Sequence, residues 1–210
     1  MSRRALLGVG TLWLVLLALA IALSVLAAVH DTLPGDRGIM DWAQDRAFPG
    51  ETLSDAVRTI TSTEVVLSTG AAVALVLWLR GWRRTAVLLA IALVLLPLME
   101  AGLKELVDRP RPDPALVDLR ASFSSASFPS GHVTSSAFLY GFLVYLSLVL
   151  PLAVAARWAL AAAAAAVFLL SGPVNVYLGV HWPSDVLGGY VWGTLLLIPL
   201  LVADRSPGPR

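Results

Sequence analysis

The sequence predicts an all-α polytopic membrane protein: six transmembrane helices in one bundle, with both termini cytoplasmic. Three observations carry that prediction. The 210 residues are 58% hydrophobic and 14% charged, with a mean hydropathy of +0.79, which is too apolar for a soluble domain of this length. Apolar stretches of about 20 residues, the length needed to cross roughly 30 Å of hydrocarbon as a helix, recur at 5–29, 62–79, 85–103, 133–150, 156–176 and 186–203. Charge is also sorted by side: Arg3, Arg4, Arg80, Arg83, Arg84, Arg157, Arg205 and Arg210 fall on one side, which the positive-inside rule makes cytoplasmic.

Each element has its own justification. In the first span Arg3 and Arg4 precede an apolar run that ends at Ala27-Ala28, as in a secretion signal, but the run is too long for a signal core and is read as a true span. The loop after it holds Asp31, Asp36, Asp41, Asp45, Glu51 and Asp55, and the loop after the third span holds Glu105, Asp108, Asp113 and Asp118, so both long loops face outward. Within the first, GIMDWAQDRAF (38–48) places Ile39, Trp42 and Ala43 on the apolar side of a short helix lying at the membrane surface. The alanine run 161–166 in the fifth span, and Gly188, Gly189 and Gly193 in the sixth, allow helices to approach closely in lipid. With no internal repeat, residues 1–210 are expected to form a single domain with a motif-bearing core at about 85–200.

The absence of cysteine excludes disulfides and thiolate metal sites. A net charge of +1 gives no reason to expect a nucleic-acid partner, and nothing in the sequence sets an oligomeric state.

Three polar clusters remain that membrane insertion does not explain, and six spans would bring all three to the outer surface. In KELVDRPRP, Lys104 and Arg111 are separated by six residues, with Arg109 between them. Lys104 alone reads as a cation reaching for headgroups, but several cations fixed by prolines suit a phosphate. In FPSGHVTSSAF (128–138), Pro129 and Ser130 are helix-start residues, Ser130 is placed to cap free amides, and Gly131 permits close backbone approach. A helix N-terminus also favours an anion, and His132 would lie beside it. In VYLGVHWPSD (176–185), Pro183 and Ser184 start a helix that puts Asp185 in its first turn, four residues after His181. A carboxylate there can fix the imidazole tautomer and leave the other ring nitrogen as nucleophile or base. An interfacial Trp182 with helix capping around it is the structural alternative. Together the clusters supply anion binding, acid/base and nucleophile, the inventory for metal-free phosphoryl transfer. No carboxylate cluster suits magnesium, and two histidines do not by themselves make a zinc site.

At these residues the chain resembles the type 2 phosphatidic acid phosphatase superfamily, whose membrane members are six-helix lipid phosphatases and whose soluble relatives include vanadium haloperoxidases. The family's motifs are Lys, six residues, Arg-Pro; Pro-Ser-Gly-His; and Ser-Arg, five residues, His, three residues, Asp. They are met by Lys104 with Arg111-Pro112, by Pro129-Ser130-Gly131-His132, and by His181 with Asp185. The resemblance implies that His181 attacks phosphorus to form a phosphohistidine and that Asp185 orients it. It implies that His132 protonates the departing oxygen and then activates water. Lys104, Arg111, the Ser130 hydroxyl and the Gly131 amide would hold the phosphoryl oxygens, with no metal or other cofactor. The implied substrate is a lipid phosphate or diphosphate: isoprenyl diphosphate, phosphatidic acid or phosphatidylglycerol phosphate. It would be met at the outer face of the plasma membrane, as in a bacterial inner membrane.

The departure lies in the Ser-Arg pair, which falls on Val174 and Asn175. Losing that arginine removes a phosphate contact worth about 2–4 kcal/mol of transition-state stabilisation. Three explanations stand: Arg109 or Arg120 substitutes, the substrate itself engages Asn175, or the protein is a weak or inactive relative that binds or transports a lipid phosphate.

Overall fold

The computed structural model describes residues 2–46, 49–121, 123 and 125–204. Arg205 and Arg210 of the cytoplasmic set, and Ala47 and Phe48 of the surface stretch, lie outside the described residues. Among those described, every regular element is α-helical: α1 Arg3–Val29, α2 Asp36–Gln44, α3 Glu51–Thr61, α4 Thr63–Leu79, α5 Arg83–Val107, α6 Gly131–Val149, α7 Val154–Tyr177 and α8 Pro183–Ala203.

Five of these helices, α1, α5, α6, α7 and α8, are each long and apolar enough to cross a membrane. The expected span at 62–79 is present as α4, but its 17 residues rise only about 25 Å. The five become six when α3 and α4, bent by 53° at their junction, are counted together as one broken span. The break falls at Ser62, whose Oγ accepts from the Val65 amide at 3.3 Å and caps α4. The sequence reading did not anticipate α3, because its polar face gives it no apolar run.

α6 is the central helix, with α7 and α8 packed along it. Gly189 and Gly193 make the α6–α8 contact possible. A Cβ on Gly189 would stand 2.8 Å from the Ser130 carbonyl, and one on Gly193 would stand 2.5 Å from the Thr134 carbonyl. The two backbones are thus in near contact, as small residues in a membrane helix permit. The apolar core beneath, Phe138, Leu139 and Phe142, packs against Leu89, Leu93 and Leu96 of α5 and Leu197 and Leu200 of α8.

The short helix α2 is also present. Ile39 and Trp42 are 52% and 59% exposed and face away from the bundle, while Met40 is fully buried and anchors the helix inward. Chain alternation collects the ends of α1, α5 and α7, the starts of α4, α6 and α8, and α2 at one end of the bundle. At the opposite end Asp204 ties three helices, accepting from Thr85 Oγ1 at 2.7 Å and from the Tyr145 hydroxyl at 3.0 Å.

Candidate active site

A cavity of about 380 Å³ opens at that first end. It is lined by Lys104 and Glu100 from α5, Arg111 and Phe123 from the following loop, Gly131 and His132 from α6, and His181. All three polar clusters read from the sequence therefore meet in one place.

His181 lies in the short turn between α7 and α8. Gly179 adopts φ +71° there, and a Cβ on it would meet the Asp118 carbonyl at 2.5 Å, so the turn requires glycine. Arg111 Nη1 stands 3.3 Å from His181 Nε2. A guanidinium only donates, so Nε2 must be the unprotonated nitrogen and the ring proton sits on Nδ1. Nδ1 faces Ser127 Oγ at 3.4 Å and Asp185 Oδ2 at 3.7 Å. Ser127 closes the gap by donating to Asp185 Oδ2 at 2.6 Å, and the Trp182 amide donates to the same oxygen at 2.8 Å. Asp185 thus orients His181 largely through Ser127. Burial pushes the His181 pKa down to about 4; Asp185 opposes that shift, while Arg111 and Lys104 add to it. The ring is held neutral, with its Nε2 lone pair taken up by Arg111.

Behind Asp185 lies a buried network that the sequence did not disclose. Arg109 Nη1 donates to Asp185 Oδ1 at 2.5 Å and to Ser184 Oγ at 2.8 Å, and its Nη2 donates to Asp36 Oδ2 at 2.9 Å. Asp36, at the start of α2, also accepts from the Ser184 amide at 2.9 Å. Arg109 is therefore committed to two carboxylates and is not a substitute phosphate ligand.

The cations hold the cavity wall. Arg111 donates to the Val180 carbonyl and, through Nε, to the Ser125 carbonyl, both at 2.8 Å. Burial, partly offset by Asp185, lowers its pKa to about 10, so it remains charged at neutral pH. Lys104 Nζ donates to the Ala126 carbonyl at 2.6 Å. Ser130 is the N-cap of α6, but its hydroxyl does not cap the helix amides as expected. The Ser130 Oγ is buried with no partner among the described residues, next to the cavity-lining Gly131. His132 sets its ring edge-on to Phe123, with centroids 5.8 Å apart. Glu100, a carboxylate within a membrane helix, accepts from Ser135 Oγ at 2.8 Å beside Gly131. Its position four residues before Lys104 in an apolar span was the signal that could have found it.

Asn175 departs from expectation. It is wholly buried on α7, donates its Nδ2 to the Ser171 carbonyl at 2.7 Å, and is not among the residues lining the cavity. Arg120 is also elsewhere, pairing with Asp118 at 2.8 Å and lying over the Tyr177 ring. Among the described residues, no three histidine or acidic side chains converge as a cation site would need.

A family model described as the PAP2 superfamily matches residues 86–205. The chain belongs to the PAP2 superfamily. That match runs from α5 through α8 and so contains the three clusters that build the cavity. The PAP2 chain is 39% identical over 100 residues to phosphatidylglycerophosphatase B of Bacillus subtilis (strain 168), an alignment covering 47% of this chain and 48% of that relative. The matched segment thus spans about half the length of that curated relative. A solved structure, described as the first transmembrane PAP2 type phosphatidylglycerolphosphate phosphatase from Bacillus subtilis, superposes with a TM-score of 0.77 at 25% identity. That superposition covers 92% of this chain and 96% of the solved one, so the PAP2 bundle extends to helices outside the matched motif region.

Proposed function

We propose that this protein is a metal-independent lipid phosphatase working through a phosphohistidine, with phosphatidylglycerophosphate as the first candidate substrate. The observation that carries the reading is His181: a buried, neutral imidazole whose unprotonated Nε2 borders a cavity lined by Lys104, Arg111, Gly131 and His132. The relatives whose names specify phosphatidylglycerophosphate support the choice of substrate.

The phosphate monoester enters the cavity and its oxygens take the donors of Lys104, Arg111, Ser130 and the Gly131 amide. Arg111 Nη1 shifts from Nε2 to a phosphoryl oxygen and frees the lone pair. Nε2 attacks phosphorus in line, the P–N bond forms, and the bond from phosphorus to the lipid oxygen breaks. His132 gives its proton to that oxygen, so the lipid leaves as an alcohol. A water then gives a proton to His132 and its oxygen to phosphorus, the P–N bond breaks, and inorganic phosphate departs. The positive charge that develops on His181 is met by Asp185 through Ser127. We read the site as facing the extracytoplasmic side of the plasma membrane: among the described residues the opposite end of the bundle holds six arginines against one acidic residue, Asp204, whereas cations at the site's end are outnumbered by acids.

The test is phosphate release by purified protein from phosphatidylglycerophosphate, phosphatidic acid and isoprenyl diphosphate, beside His181→Ala and His132→Ala. Release by the parent protein that both substitutions abolish is the expected result. Equal release from all three proteins would overturn the catalytic assignment, and a parent that binds phosphate without releasing any would make the chain a binder.

A further inference from the structure

The superfamily arginine expected at position 175 is absent, and neither Arg109 nor Arg120 replaces it. A different cation, not itself among the residues lining the cavity, lies against the Phe123 ring that forms part of the cavity wall. Arg58, on α3, places its guanidinium carbon 4.6 Å from the centroid of the Phe123 ring, and Arg111 places its own at the same distance from the same ring. The two guanidinium groups are therefore no farther apart than twice that distance. Phe123 lines the cavity and holds the His132 ring edge-on, so one aromatic side chain joins Arg58, Arg111 and His132. The charge of Arg58 is felt by both Arg111 and His132.

Arg58 is also uncommitted. Its side chain makes no hydrogen bond or ion pair with the described residues, and its Nε is buried without a partner. Asp55 on the same helix attracts it without coming within ion-pair distance. The helix carrying it is packed at the relevant place: Val57 clusters with Val174, Tyr177, Leu178 and Val180, the residues flanking Asn175 and leading to His181. The helix lying against α7 thus brings a guanidinium up to the Phe123 side of the cavity.

We propose that Arg58 is a phosphate-binding residue of this site and takes the place of the superfamily arginine at position 175. This rests on the phosphatase reading and deepens it. The planar fork of Arg58 offers donors to a phosphoryl oxygen on the His132 side of the cavity, opposite those offered by Arg111 beside His181.

The experiment uses the full-length protein in detergent micelles, with turnover of phosphatidylglycerophosphate, calorimetric titration with inorganic phosphate, and melting temperature read together. Arg58→Ala is expected to lower kcat/KM about a hundredfold, as removing one transition-state donor does, and to weaken phosphate binding about tenfold with the melting temperature held. Arg58→Lys should retain part of both. Adding Asn175→Arg to Arg58→Ala should recover at least about tenfold in kcat/KM, which a merely structural role for Arg58 would not allow. If Arg58→Ala keeps turnover and phosphate affinity near those of the parent, the assignment is overturned. It is also overturned if the loss follows the melting temperature and Asn175→Arg restores nothing. Should the parent release no phosphate from any lipid, the phosphatase reading falls, and the titration still decides whether Arg58 binds phosphate.

Discussion

Arg109 and Asp185 meet at 2.5 Å, Nη1 to Oδ1, in a place where neither side chain touches solvent. The same guanidinium holds Asp36 of α2 at 2.9 Å. The carboxylate that orients the proposed nucleophile is therefore itself oriented, from the rear, by a cation shared with a helix far away in sequence. Such an arrangement positions the imidazole more tightly than the 3.7 Å separation of His181 and Asp185 would by itself.

Arg109→Met should be strongly destabilising. Removing one partner of a buried ion pair leaves its carboxylates uncompensated, at a cost of about 3–5 kcal/mol. Denaturant unfolding in detergent, followed by tryptophan fluorescence, would read the change. Stability equal to the parent's would mean that the pair adds nothing.

Ser127→Ala should act on turnover and not on affinity. Ser127 links Asp185 to His181 and touches no part of the phosphate cradle, so kcat is expected to fall about tenfold with KM nearly unchanged. A rise in KM at constant kcat would place Ser127 against the substrate instead.

The pH dependence follows from the depressed pKa of His181. Its ordinary value of 6.5 applies to the unfolded chain, and in the folded protein burial lowers it to about 4. Between those values the unfolded chain binds a proton that the native protein does not. Stability therefore falls as pH drops through 6.5 toward 4, and the contribution is flat above that window. Nitrogen NMR of labelled histidine should show His181 neutral at pH 5.5; a ring that protonates with a midpoint near 6.5 would contradict the buried geometry.

Chelation supplies a separate check on the chemistry. With phosphoryl transfer carried by histidine and the charges neutralised by Lys104 and Arg111, phosphate release should persist in excess EDTA. Loss of activity on chelation, restored by magnesium, would move the reaction to a metal-dependent path.

Much of this arrangement was legible in the chain. The Pro-Ser-Gly-His and Trp-Pro-Ser-Asp stretches announce helix starts by local chemistry, and α6 and α8 do begin there, at Gly131 and Pro183. The spans were visible because lipid demands length and apolarity together. The support behind His181 was not, since Asp36 and Ser184 are 148 positions apart and no local pattern ties them. α3 escaped because it is neither continuously apolar nor marked by a strong capping residue: Gly50 precedes it and gives no side-chain cap. Without α3, nothing in the sequence brings Arg58 near Phe123, whereas Arg109 and Arg120 lie in the motif-bearing loop itself. Ser130 illustrates a different limit. Its type predicted a cap, but only the three-dimensional setting shows its hydroxyl left without a partner.

The Asp36–Arg109–Asp185 chain also bears on how such a sequence can drift. A change at Arg109 alone strands Asp36 and Asp185 in the interior, so a lineage crossing that gap passes through a poorly folding intermediate, whereas a change at Asp36 leaves Arg109 paired with Asp185. Neutral residues at both positions would still leave Asp185 without its cation. The two positions, one on α2 and one in the loop after α5, are therefore expected to differ in tolerance, and a substitution at Arg109 should be read as a reason to inspect both Asp36 and Asp185.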